Sequence, residues 1–124
     1  MNIAFTLNLM IFLHIVDDFY LQVPTLANLK QKKYWEENAP DVLYKYDYRI
    51  ALWLHSFSWT FMIMLPIAYH MQFNITLLYT TIFFINMVIH GITDNSKANN
   101  RKISLTTDQL IHILQIYITA HIFL

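Results

Sequence analysis

Residues 73–94 read FNITLLYTTIFFINMVIHGITD. From Phe73 to Ile89 no acidic or basic side chain interrupts the run, which is rich in Ile, Leu, Phe and Tyr. The β-branched content would favour a strand in water, but the length predicts a helix. A helix needs about 20 apolar residues to cross a bilayer. Working outward, three other stretches share this character: Ile3 to Tyr20, Ile50 to Tyr69 and Leu105 to Leu124, with the quoted run covering Phe73 to Thr93. The expected fold class is all-α, a four-transmembrane-helix bundle in which residues 1–124 form a single membrane-embedded domain. Only His70, Met71 and Gln72 separate the second and third runs, which makes them an antiparallel hairpin.

Composition agrees with a bilayer as solvent. Hydrophobic residues make up 56% and charged residues 13%, against ~45–50% and ~25% in soluble domains. So small a chain has too few polar side chains to cover its surface. A soluble four-helix carboxylate–metal bundle is disfavoured further, because such bundles use Glu-x-x-His motifs and the only glutamates, Glu36 and Glu37, lie in a connection. The zero net charge gives no electrostatic case for nucleic-acid binding. The lack of cysteine excludes disulfides, thiolate zinc sites and cysteine nucleophiles. The N-terminus has neither the basic start nor the small-residue cleavage site of a signal peptide, so the first run is expected to be retained.

All eight basic residues fall in two connections: Lys30, Lys32, Lys33, Lys45 and Arg49 in the first, and Lys97, Arg101 and Lys102 in the third. The positive-inside rule places both in the cytoplasm, with both termini and the second connection outside. The first connection is long. Pro24 followed by TLANLKQKKYWEEN predicts a cytoplasmic amphipathic helix between helices 1 and 2, ended by Pro40. Tyr44, Tyr46, Tyr48 and Trp53 then lie at interface depth.

Ionisable side chains inside spans are costly, face the bundle interior and carry function. The first run ends HIVDDFYLQ, setting His14, Asp18 and Gln22 at i+4 steps on one face. Asn86, His90 and Asp94 repeat that spacing in the third, and Asp108, His112 and Gln115 form a polar stripe in the fourth. The second contributes His55. Given the alternating helix directions, all four sets lie at one height, just inside the cytoplasmic boundary. One His/Asp pair would read as a hydrogen bond between helices. Three pairs plus His55 at a common depth point to a metal site of His14, Asp18, His55, His90, Asp94, Asp108 and His112. Imidazole with carboxylate suits Zn, Mn, Fe or Ni. The seven groups allow one divalent ion with an outer shell, or two ions. Asp17 points ~100° from Asp18, toward the interface. His70 and His121 fall at the outer edge, and Asn8, Ser56 and Ser58 are expected in interhelical hydrogen bonds. Asn74-Ile75-Thr76 fits a glycosylation sequon, a match too short to carry weight.

At these residues the chain resembles a family of small bacterial and phage membrane proteins known as domain of unknown function 3307. The resemblance rests on His14, Asp18, Phe19 and Gln22; on Leu54 and His55; on His90, Asp94 and Lys97; and on Asp108, Gln109 and His112, in that order along essentially the whole chain. Asp17 departs from the pattern, where a small or apolar residue is usual. The resemblance implies a bacterial (host) inner membrane and no established activity. A more distant similarity is to membrane-bound metal-dependent hydrolases, by analogy alone.

The expected function is a metal-dependent hydrolase of a lipid-like or phosphoester substrate at the cytoplasmic face. Asp18 or Asp94 would serve as general base, and Lys97 would steady an anion. The alternatives are a metal or proton transport module and a phage or bacterial accessory protein that modifies the host membrane or excludes a second phage. Transport is disfavoured because the outer half of the bundle looks almost purely apolar, with no second polar level.

Overall fold

The computed structural model describes residues 2–124. Helix α1 (Ile3–Ile15) runs without a break into a π-helical turn, Val16–Leu21. Two short helices follow, α2 (Pro24–Leu29) and α3 (Lys32–Asn38), then a 3-10 turn, Val42–Tyr44. The long helices α4 (Asp47–His70), α5 (Leu77–Ala98) and α6 (Leu105–Phe123) complete the chain, and the described residues contain no strand.

Local chemistry sets the ends. Side chains of Asn2, Thr76 and Ser104 accept backbone N–H bonds from Ala4, Tyr79 and Thr107, capping α1, α5 and α6. Pro24 occupies the first turn of α2. The hairpin is looser than three residues, because α4 closes through Phe73 N–H to the Ala68 carbonyl at 2.7 Å. Gln72 and Phe73 are left-handed there, at φ 52° and 58°, so α5 starts at Leu77 and not at Phe73. The segment expected as one amphipathic helix breaks at the extended residue Gln31 into α2 and α3, and stops before Pro40 as its sequence requires.

Three helical stretches are long and apolar enough to cross a membrane: Ile3–Leu21, Val42–His70 and Leu77–Ala98. The expectation of four is corrected to three. Helix α6 forms over the expected residues, but Thr106, Thr107, Asp108, Gln109, His112, Gln115, Thr119 and His121 make it too polar to count as a span by itself. Those polar groups are the reason it packs inside. Asp108, His112, Gln115 and Thr119 are buried, while Leu110, Leu114, Tyr117 and Ile118 face outward. Lys97 meets Asp108 at one end and Tyr79 meets Phe123 at the other, so α6 runs antiparallel along the length of α5.

The molecule is polar inside and apolar outside. Fifteen polar or charged residues are buried against ten hydrophobic ones, while large apolar side chains of all four long helices are exposed. This inverts the pattern of a protein solvated by water. The apolar core, with Met10, Ile63, Met64, Ile67, Ile116 and Ala120, fills one half of the bundle, and the buried charges fill the other.

Gly91, the only glycine, lets α4 and α5 approach closely where this matters most. A Cβ there would lie 3.0 Å from both Ser56 Oγ and the Trp53 ring, and the preceding residue, His90, has its ring 5.1 Å from that of His55. Gly91→Val should therefore cost about 1–3 kcal/mol by overpacking. Thermal unfolding in detergent measures it, and a variant as stable as wild type would contradict the close approach.

Candidate metal centre

The structure brings His14, Asp18, His55, His90, Asp94, Asp108 and His112 into one buried cluster between α1, α4, α5 and α6. Asp94 is its hub. Its Oδ2 lies 3.4 Å from His55 Nε2 and 3.9 Å from His90 Nε2, and its Oδ1 lies 3.8 Å from His112 Nε2. Asp108 Oδ1 lies 3.3 Å from the same His112 nitrogen, and Asp18 Oδ1 lies 3.4 Å from His55 Nε2. Two triads have ligand atoms close enough to share an ion: Asp18, His55 and His90, and His90, Asp94 and His112.

Hydrogen bonds assign different parts to the histidines. Trp59 Nε1–H, which can only donate, gives its proton to His14 Nδ1 at 2.7 Å. The His14 proton therefore sits on Nε2 and is donated to Gln109 Oε1 at 3.0 Å, which occupies both ring nitrogens. His112 is arranged the opposite way. Its Nδ1–H donates to Gln115 Oε1 at 3.3 Å, because the Gln115 amide nitrogen is already donating to Asn86 O and Oδ1. Asn86 in turn donates to Thr119 at 2.8 Å. This chain turns Nε2 of His112 toward the carboxylates, as outer hydrogen bonds orient a metal-ligating imidazole. His90 lies flat against Trp59, with ring centroids 4.2 Å apart at 16°, and neither of its nitrogens has a partner.

The residues fit a cation by a direct test. His55 Nε2, His90 Nε2, His112 Nε2, Asp18 Oδ1 and Asp108 Oδ1 are all buried without a hydrogen-bond partner. An orphaned buried acceptor is costly. Several of them lie close enough that a shared positive ion would account for them.

Lys97 joins the cluster as expected, whereas Lys30 and Asp17 were not legible as members. Lys30, counted as a cytoplasmic surface charge, is 2% exposed and donates to Asp94 Oδ2 at 2.6 Å. Nothing in the run Lys30, Lys32, Lys33 marks it, since only the α2–α3 elbow turns it inward. Asn99 holds that elbow by donating to Lys30 O and accepting from Lys32 N–H. Lys97 donates to Asp108 Oδ2 at 2.6 Å and lies 3.6 Å from Asp94 Oδ1. Asp17 does not reach the interface. Its ~100° offset from Asp18 aims it at α4, where Ser58 Oγ–H donates to it at 2.6 Å and His55 Nδ1 lies 3.6 Å away. The turn carrying both aspartates is closed by Gln22 N–H to Asp17 O, an i→i+5 bond of the kind common at functional sites. Ser56 bonds within its own helix to Leu52 O, and Asn8 is exposed, so of the three expected interhelical bonds only that of Ser58 forms. His70 ends α4 and His121 lies near the end of α6, both away from the cluster.

No curated protein and no solved structure matches the chain. Over residues 6–124 it matches the family described as "Protein of unknown function (DUF3307)", and with nearly its whole length covered the chain belongs to that family.

Proposed function

We propose that this cluster is a one-ion metal centre of a membrane-embedded hydrolase acting on a phosphoester of a lipid-like substrate at the cytoplasmic face. The observation that carries the metal is the set of partnerless imidazole nitrogens and carboxylate oxygens facing one another. His90 belongs to both triads, so they are alternative seats for a single ion. Charge supports the same number: four carboxylates (Asp17, Asp18, Asp94, Asp108) and two ammonium groups (Lys30, Lys97) leave two negative charges when the imidazoles are uncharged, as metal ligation requires. One divalent cation neutralises that.

The seat at His90, Asp94 and His112 has the better support, with Gln115 behind His112 and a lysine on Oδ2 of each adjoining aspartate. Three protein ligands with a free position are the pattern of catalytic rather than structural sites. Zn, Mn and Fe suit this donor set. In hydrolysis, water adds to phosphorus as the P–O bond to the leaving alcohol breaks. Asp18, whose Oδ1 has no donor, would take a proton from the attacking water and return that proton to the departing alkoxide. The ion supplies Lewis acidity.

Six basic residues outside the cluster, Lys32, Lys33, Lys45, Arg49, Arg101 and Lys102, share the end of the bundle that holds it. They support a cytoplasmic placement of that end. Ile3 and Leu124 adjoin one groove at the opposite end. Transport is the weaker reading. A second polar level does exist behind His112, formed by Asn86, Gln115 and Thr119, but the packed core of Met10, Ile63, Met64, Ile67 and Ile116 leaves no path beyond it.

Purified protein should retain about one divalent ion per chain by elemental analysis. His90→Ala should lose it, and a folded, metal-free wild type after metal exposure would refute the centre. Gln115→Ala, which leaves every ligand side chain present, should weaken metal affinity about 10–100-fold by freeing the His112 ring; metal titration reads this. Chelation should abolish phosphoester hydrolysis in bilayer nanodiscs, and re-addition of the ion should restore it.

A further inference from the structure

Lys30 and Lys97 reach one carboxylate from two separate elements. Lys30, from the α2–α3 elbow, is 2.6 Å from Asp94 Oδ2, and Lys97, from the last turn of α5, is 3.6 Å from Asp94 Oδ1. Lys97 also holds Asp108 at 2.6 Å. Lys30 is 3% exposed at its side chain, while Lys97 is 29% exposed and is the charged group of the cluster open to solvent. Neither α2 nor α3 contributes a buried residue of its own, so Lys30 is the one deeply inserted side chain of the segment that covers the cluster.

We propose that Lys30 and Lys97 together form the receiving site for an oxyanion of the phosphate class, built by the same cation that occupies the centre. The proposal rests on the metal reading above. Asp94 and Asp108 are the carboxylates that hold the two ammonium groups, and both also face His112 Nε2 with their other oxygen. A divalent ion ligated on that side draws on the same negative charge that compensates the lysines. Without the ion the four carboxylates outweigh the two ammonium groups by two charges and repel an oxyanion; with it the sum is zero and that repulsion is gone. A phosphate oxyanion can then take charge-assisted hydrogen bonds from the two ammonium groups, of the kind they already give the aspartates. Metal and phosphate therefore bind with positive coupling, which is reciprocal. Lys97, at the rim, meets the anion first, and Lys30 ties its arrival to the α2–α3 cover.

The test is calorimetric titration of inorganic phosphate into full-length protein in nanodiscs, with and without its retained divalent ion. The expected result is phosphate binding to the loaded protein that is lost on chelation, and weakened at least about tenfold in Lys97→Met compared at equal metal occupancy. Lys30→Met should weaken it similarly. Should that variant fail to fold, Lys30→Arg, which keeps the charge, should bind phosphate within a few-fold of wild type. Loaded wild type that binds no phosphate, or a Lys97→Met variant that binds it as tightly as wild type, overturns the anion site and leaves the metal centre standing. A wild type that takes up no divalent ion overturns both, and the metal titration alone identifies that case.

Discussion

Four carboxylates held inside an apolar bundle set the terms for everything near them. Each must be met by a cation or by donors, because charge removed from water without compensation costs several kcal/mol. The chain answers with two lysines from different elements, with the Ser58 hydroxyl, and with the Gln109 amide that donates to both Asp18 and Asp108. The donors run out before the acceptors do. What remains is a set of imidazole nitrogens and carboxylate oxygens without partners, gathered around Asp94. A divalent ion seated at His90, Asp94 and His112, as proposed above, would satisfy part of that set.

The rest of the fold serves that arrangement. Gly91 lets α4 and α5 close until His55 and His90 share one layer, and Trp59 forms its floor by stacking on His90 and donating to His14. Behind the floor the interior turns apolar, which keeps the polar layer at one end of the bundle. Above it the α2–α3 elbow inserts Lys30, fixed by Asn99, the C-cap of α5 just beyond Lys97. The apolar exterior needs no polar residues if acyl chains solvate it. The few polar groups of the long helices are therefore free to gather inside.

Much of this was legible in the order of residues. His14 and Asp18, His90 and Asp94, and Asp108 and His112 repeat at one helical step, and two opposed helix directions bring those steps to one depth. The reading erred where a neighbour, not a residue's own helix, settles its direction. Asp17 seemed aimed outward because its offset from Asp18 is computed for an isolated helix, whereas α4 occupies that side. Helix α6 was read as a span equal to the others, yet its polar content is affordable only because three helices cover it. Lys30 gave no signal at all, since its burial depends on an elbow at Gln31 and on Asn99, 69 residues away.

The four hydrophobic runs, the placement of basic residues at one end and the His/Asp repeats were thus determined by the sequence itself, because helical periodicity and transfer cost act on local stretches. Which histidine nitrogen is free, which aspartates have lysine partners and where a cation would sit were decided only in the tertiary structure. Those properties depend on hydrogen bonds and charges contributed by separate helices. Asp94 shows the division: its i+4 step from His90 is written in α5, but its lysine from the elbow and its histidines from α4 and α6 exist only once the bundle has closed.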